Sequence, residues 1–307
     1  LSMAALTDGL YTFTILVFFA YMSETALFPF LTSIYHDNYP SDKRGQLLGN
    51  SMRLTVACSI VFSYIASWFL DVDLTHWTSI FAALGLAGFF KAYAIFSMPS
   101  TAIEPGYPNP FTSLKYLLED KSFGYILLTW FIMGFANLWI QPLRLDYLVS
   151  DEWGIKASAS TVALIINVIP SIMRLIFTPL WGRLFDRINF ILLRMTINAI
   201  FACGVGLFFI TKNLLVVGSG AALIGLAFAG GSIAWNLWIT KYAPPGKVTA
   251  YMSIHVFLTG VRGTLGLMIG FWAIAKVGPT NMSLISAGMM GIATIMLIPE
   301  VRREKNH

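Results

Sequence analysis

Apolar residues gather along the chain into nine runs of roughly 20 or more residues. They cover approximately 10–34, 45–70, 76–98, 122–145, 158–181, 190–211, 214–238, 249–273 and 279–299. About 20 apolar residues carry a helix across a bilayer. No stretch shows the ~10-residue alternating pattern of a membrane barrel strand. The pattern therefore predicts an all-α polytopic membrane protein with nine transmembrane helices.

The intervening segments sort by charge. Lys43, Arg44, Lys115, Lys121, Arg183, Arg187, Arg194, Lys241, Lys247, Arg302, Arg303 and Lys305 fall in alternate loops. The other set holds Lys156, Lys212, Lys276 and Arg144, together with Asp71, Asp73, Asp146, Asp151 and Glu152. Cytoplasmic loops collect Lys and Arg, so the first set is predicted inside and the C-terminus with it. Nine crossings then put Leu1 outside.

Composition sharpens this picture. Of 307 residues 57% are apolar and 11% charged, less than half the usual charge load of a soluble domain. The net charge of +5 is accounted for by the basic loops, so no nucleic-acid partner is called for. Cys58 and Cys203 both lie inside apolar runs, which argues against a disulfide framework and a cysteine metal site. The longest polar segment, 99–121, opens with Pro99, Pro105, Gly106, Pro108 and Pro110. Phe111, Leu114, Leu117 and Leu118 then recur at helical spacing, which predicts a short amphipathic helix at the cytoplasmic interface. The expected organisation is three spans over 1–98, this linker over 99–121, and six spans over 122–307.

Three stretches carry a family resemblance. Gly182-Arg183-Leu184-Phe185-Asp186-Arg187 is similar to the G-x-L-x-D-R loop signature of the major facilitator superfamily, here placed in a tight cytoplasmic loop. Phe28-Pro29 followed by Asn38 to Gly45 resembles that family's link from its fourth to its fifth helix. The order of six spans after a longer loop, with Pro244-Pro245-Gly246-Lys247 entering the eighth, also matches. The resemblance implies a twelve-helix transporter whose fourth to twelfth helices are present, the first half being incomplete upstream of Leu1. It implies that the Gly182, Asp186 and Arg187 loop latches neighbouring helices and governs alternation. Departures exist: Ile188-Asn189-Phe190-Ile191 replaces the usual Gly and basic residues, and 60–66 lacks the Gly-rich stretch of drug antiporters.

Charges inside spans are costly and mark function or pairing. Glu24 is the only carboxylate deep in a run, on the order of 15 Å from the cytoplasmic end, and Arg53 lies at a similar ~13 Å. The two are expected to pair, with Glu24 as proton carrier or as half of a static bridge. Lys91 and Arg174, roughly 10–12 Å deep, read as a cytoplasmic gate or as snorkelling side chains. Asn137, Gln141, Asn167 and Arg262 sit near mid-depth. The family layout turns them to a central cavity, where Arg262 suits a carboxylate or phosphate; interhelical hydrogen bonding is the alternative. His255, one heptad before Arg262, is a proton-relay candidate or a packing residue. Trp235 and Asn236 are cavity candidates, and Trp238 reads as an interface anchor.

No H-E-x-x-H and no G-x-x-x-x-G-K-[ST] occur, so neither an enzyme nor an ATP-driven pump is expected. No cofactor or metal is called for. The reading is a secondary transporter of a small solute, an organic anion by Arg262, coupled to a proton or ion and working by alternating access. Its expected home is a bacterial inner membrane, with the lipid bilayer as its other partner. A sensor or receptor on the same scaffold, or an inactive truncated fragment, is the alternative.

Overall fold

The computed structural model describes residues 3–7, 9–100, 113–151, 154–244 and 246–304. Among them, nine helices are long and apolar enough to cross a membrane. They are α1 (Leu10–Asn38), α2 (Arg44–Val72), α3 (Trp77–Phe96), α4 (Lys121–Ile140), α5 (Ile169–Arg187), α6 (Phe190–Phe209), α7 (Leu214–Leu237), α8 (Val248–Val277) and α9 (Pro279–Met296). An all-helical solution follows from the solvent: in hydrocarbon each backbone polar group must be satisfied within its own segment.

Helix ends are written locally. The Asp120 carboxylate accepts from the Phe123 N–H at 3.0 Å and opens α4. Asn189 and Asn213 do the same for α6 and α7, accepting from Leu192 and Leu215. Such side chains satisfy amide groups that have no partner in the first turn. Gly278, at φ +79°, joins α8 to α9, and Pro279 begins the next helix with φ already set. The fifth span carries a π-helical turn at Leu164–Val168, followed by Pro170, which has no N–H for the carbonyl one turn back.

Helices α4 to α9 pack as one connected set. α4 lies against α8 and α9, α9 against α6, α6 against α7, and α7 against α5. The buried side chains concentrate here, with Phe123, Phe185, Phe190, Phe208, Phe209 and Trp238 fully enclosed. α1 packs on α8, and α2 lies along α5. α3 is held to α1 by Phe13 against Trp77 and Phe81 and carries no buried residue. Its apolar side chains face outward, as lipid permits.

Three expectations are corrected. The Gly182–Arg187 signature is not in a loop; it forms the last turns of α5, and only Ile188 and Asn189 separate it from α6. Its Trp181, Leu184 and Phe185 continue the helical apolar face, and Gly182 lets another helix close on it. A Cβ on Gly182 would collide with the Gly45 carbonyl, and one on Gly45 with that of Gly182. Trp238 is no interface anchor; it is fully buried, stacked between Phe123, Trp130 and Phe190. The described part of the expected amphipathic helix is the single turn Tyr116–Glu119, with Leu118 exposed and Leu114 and Leu117 partly covered. Pro105, Gly106, Pro108, Pro110 and Phe111 lie outside the described residues, as do Glu152, Pro245 and Lys305.

The Gly45–Gly182 crossing sets how closely α2 and α5 approach. Gly182→Val is expected to cost about 1–3 kcal/mol by overpacking, read as a lower melting temperature of the detergent-purified full-length protein. An unchanged melting temperature would show that the crossing gives way freely.

Candidate functional site

A cavity of about 300 Å³ lies among α1, α4, α6, α7 and α8. Its wall includes Asn137 and Gln141 from α4 and its C-terminal end, Trp235 and Asn236 from α7, and Arg262 from α8. The sequence pointed to these five. It did not point to Phe28, Trp130, Arg194, Ser232 or Thr259, which share the wall.

Arg194 is the main correction. Its position near the start of an apolar run had placed it with the cytoplasmic charges. In the structure α6 begins at Phe190, so Arg194 lies beyond the first turn and is 2% exposed. Its guanidinium lies over the Trp130 ring, Cζ 3.5 Å from the centroid, and Nη2 is 3.1 Å from the Met133 Sδ. A guanidinium on an indole face gains cation–π attraction that grows when water is excluded. The aromatic face on α4 draws the group inward, away from the cytoplasmic charges it was grouped with.

Arg262 also meets Trp130, at its backbone carbonyl. It is 5% exposed, its Nη1 donates to the Trp130 carbonyl, and its Nη2 donates to Thr259 Oγ1 at 3.0 Å. Its guanidinium fits against α4 because residue 134 is glycine: a Cβ there would collide with Cζ, Nη1 and Nε. The ion pairs seen among the described residues are His36–Asp37, Glu24–Lys91 and Asp151–Lys156. Neither buried arginine is in one. The remaining wall is aromatic and amide: Phe28 meets Trp235 edge-on at 4.9 Å, and Asn236 Nδ2 donates to the Ser232 carbonyl at 2.8 Å.

The other sequence candidates fall elsewhere. Glu24 bonds Lys91, not Arg53: Oε1 accepts from Nζ at 2.7 Å, joining α1 to α3. Arg53 is exposed on α2. The depth count matched Glu24 with Arg53 but carried no information on which helix faces α1; Lys91 is bridged to Glu24. Glu24 is one turn before Phe28 and shares its face. Asn167 is exposed in the π-helical turn and is not on the cavity wall. Arg174 is exposed on α5. His255 is fully buried behind the wall, between Trp130, Trp235 and Trp238 at 5.0–5.4 Å. Neither of its ring nitrogens has a hydrogen-bond partner, and the structure does not bring it to Glu24.

Asp186 ties two spans together. Its Oδ1 accepts from the Gly45 N–H at 2.6 Å and its Oδ2 from the Gln46 N–H at 2.8 Å. A carboxylate on the first amides of α2 also meets the positive end of that helix dipole. The Lys241 ammonium donates to the Phe185 carbonyl at 2.7 Å beside it. Arg187 is exposed. Thr32 Oγ1 donates to the Asn236 carbonyl at 3.1 Å, a further link between α1 and α7.

A bundle of apolar helices around a cavity with charged and aromatic walls defines a membrane protein built to handle a solute. A family model described as Major Facilitator Superfamily matches residues 1–267, and the chain belongs to that family. The purine ribonucleoside efflux pump NepI of Escherichia coli K12 is 29% identical over 92 residues, 30% of this chain and 23% of the pump. The same pump of Shigella flexneri matches equally. The matched part of the chain thus spans about a quarter of these relatives' length. The fold is similar to the crystal structure of the human organic anion transporter MFSD10, with a TM-score of 0.66 and 16% identity. That likeness covers 88% of this chain and 67% of that one. It is also similar to the E. coli fucose:proton symporter FucP, with a TM-score of 0.61 and 15% identity, covering 89% and 72%. The family is one of multi-pass membrane transporters, not enzymes.

Gly134→Ala is expected to destabilise the protein by about 1–3 kcal/mol by pressing on Arg262. In an Arg262→Ala background the same change should cost under about 1 kcal/mol, the collision being gone. Thermal melts of the four proteins measure this; equal costs in both backgrounds would refute the contact.

Proposed function

We propose that this chain forms the larger part of a secondary transporter that carries a small organic anion by alternating access. The observation that carries the reading is the pair of buried guanidiniums, Arg194 and Arg262, on the wall of an aromatic cavity with no carboxylate bridged to either. An uncompensated buried charge is costly, and an anionic solute supplies the missing partner when it binds. Asn137, Gln141 and Asn236 offer donors and acceptors for its polar substituents, while Phe28 and Trp235 flank its apolar part. The printed description of MFSD10 as an organic anion transporter agrees in kind.

Proton coupling falls to Glu24 and Lys91. Protonating Glu24 removes the charge that holds Lys91 and so loosens α1 from α3, one turn from the cavity wall. FucP, described as a proton symporter, shares the fold. Asp186 on the α2 N-terminus and Thr32 on Asn236 hold the cytoplasmic side shut in this arrangement; its opening exchanges these bonds for water. The division into 1–98, 99–121 and 122–307 then separates the two rocking parts, with the C-terminus cytoplasmic and a bacterial inner membrane as the setting.

Proteoliposomes holding the full-length protein test the reading. Arg262→Gln is expected to lower uptake of a labelled organic anion by about 30-fold, the ~2 kcal/mol effect of losing one partner of a buried charge pair. Glu24→Gln should abolish pH-driven net uptake while leaving anion binding in place. Uptake unchanged in the first variant would remove the anion site, and unchanged pH-driven uptake in the second would remove the coupling role. Asp186→Ala should favour the cytoplasmic-open form by about 0.5–2 kcal/mol, the worth of a helix cap. Faster alkylation of a cysteine introduced at Ser232 from the cytoplasmic side is the readout; an unaltered rate would show that the cap does not hold the gate.

A further inference from the structure

We infer that the preferred solute is a dianion built on one flat ring; this rests on the anion reading above and narrows it. Arg194 and Arg262 stand on different helices and flank one residue, Trp130, the first on its ring face and the second on its carbonyl. Two enclosed like charges repel, so together they cost more than two separate ones. A monoanion would leave one of them uncompensated; two negative charges neutralise both.

The donors point the same way. Arg262 spends Nη1 on Trp130 and Nη2 on Thr259, leaving its buried Nε without an acceptor. The Trp130 indole Nε1 is buried and equally without one. The acceptor that Arg194 meets is a thioether sulfur, a weak one. Both guanidiniums also stand on the cavity wall, and two carboxylates or one doubly charged phosphate ester offer several oxygens for the donor edges that face it. The ring follows from the walls and the size. Phe28 and Trp235 pack edge-to-face at 4.9 Å, as do Phe201 and Phe228, on a cavity of about 300 Å³. That volume is at the small end for ligand sites, and aromatic walls favour a flat partner.

The test uses the full-length protein in detergent at ~pH 8, where carboxyl groups are ionised. Binding is read from quenching of tryptophan fluorescence, with Trp130 and Trp235 on the wall. The probes are benzoate, phthalate and cis-cyclohexane-1,2-dicarboxylate, with benzamide as the neutral control. Phthalate is expected to bind about tenfold tighter than benzoate and about fivefold tighter than the cyclohexane compound. Arg194→Gln and Arg262→Gln should each bring phthalate and benzoate level. Equal binding of phthalate and benzoate by the unaltered protein overturns the dianion inference while the anion reading stands. Equal binding of the two dicarboxylates overturns the flat ring. Failure of every anion to bind, or benzamide binding as well as they do, overturns the anion reading itself. Where a variant does not fold, the ranking in the unaltered protein decides.

Discussion

A charge buried in hydrocarbon must find a partner, and two arginines around Trp130 concentrate that requirement in one place. Arg194 is held by the indole face and Arg262 by the backbone carbonyl of the same residue, with Gly134 opening the space the second needs. Both contacts stabilise a cation; neither cancels its charge. Trp130 on α4, Arg194 on α6 and Arg262 on α8 belong to one connected set of packed helices. Everything else around the cavity is consistent with that tension: aromatic walls, amides, and no bridged carboxylate.

The same economy of polar groups governs the links between the early and late helices. α2 meets α5 through two glycines, so close that the Asp186 carboxylate reaches the first amides of α2. α1 meets α7 through Thr32 and Asn236, and through Phe28 on Trp235. These are few bonds over long helices. These bonds sit beside extensive packing of α2 along α5, and discrete arrangements of packed bodies are what rocking motions exchange. Glu24 and Lys91 sit on the early side of this boundary, one turn from the cavity.

Legibility from sequence followed the range of the interaction. Hydropathy located all nine spans, the fifth running on to Arg187 beyond its expected end, because crossing a bilayer is a property of each segment alone. Asn137, Gln141, Trp235, Asn236 and Arg262 line the cavity. The depth of Glu24 was readable, but its partner was not, since Arg53 and Lys91 lie at similar depth on different helices and only packing chooses between them. Asn167 lies in a π-helical turn and off the cavity wall, which depth alone could not reveal. Trp238 had the composition of an anchor and the location of a core residue.

A helical membrane protein of nine spans in this stretch, and its family signature, were legible residue by residue, since bilayer thickness acts on single segments. Only the tertiary structure decided that Arg194 turns inward to share Trp130 with Arg262. An arginine one turn into an apolar helix can snorkel to water or stack on an indole. The choice belongs to the neighbouring helix that supplies the ring, not to the helix that carries the charge.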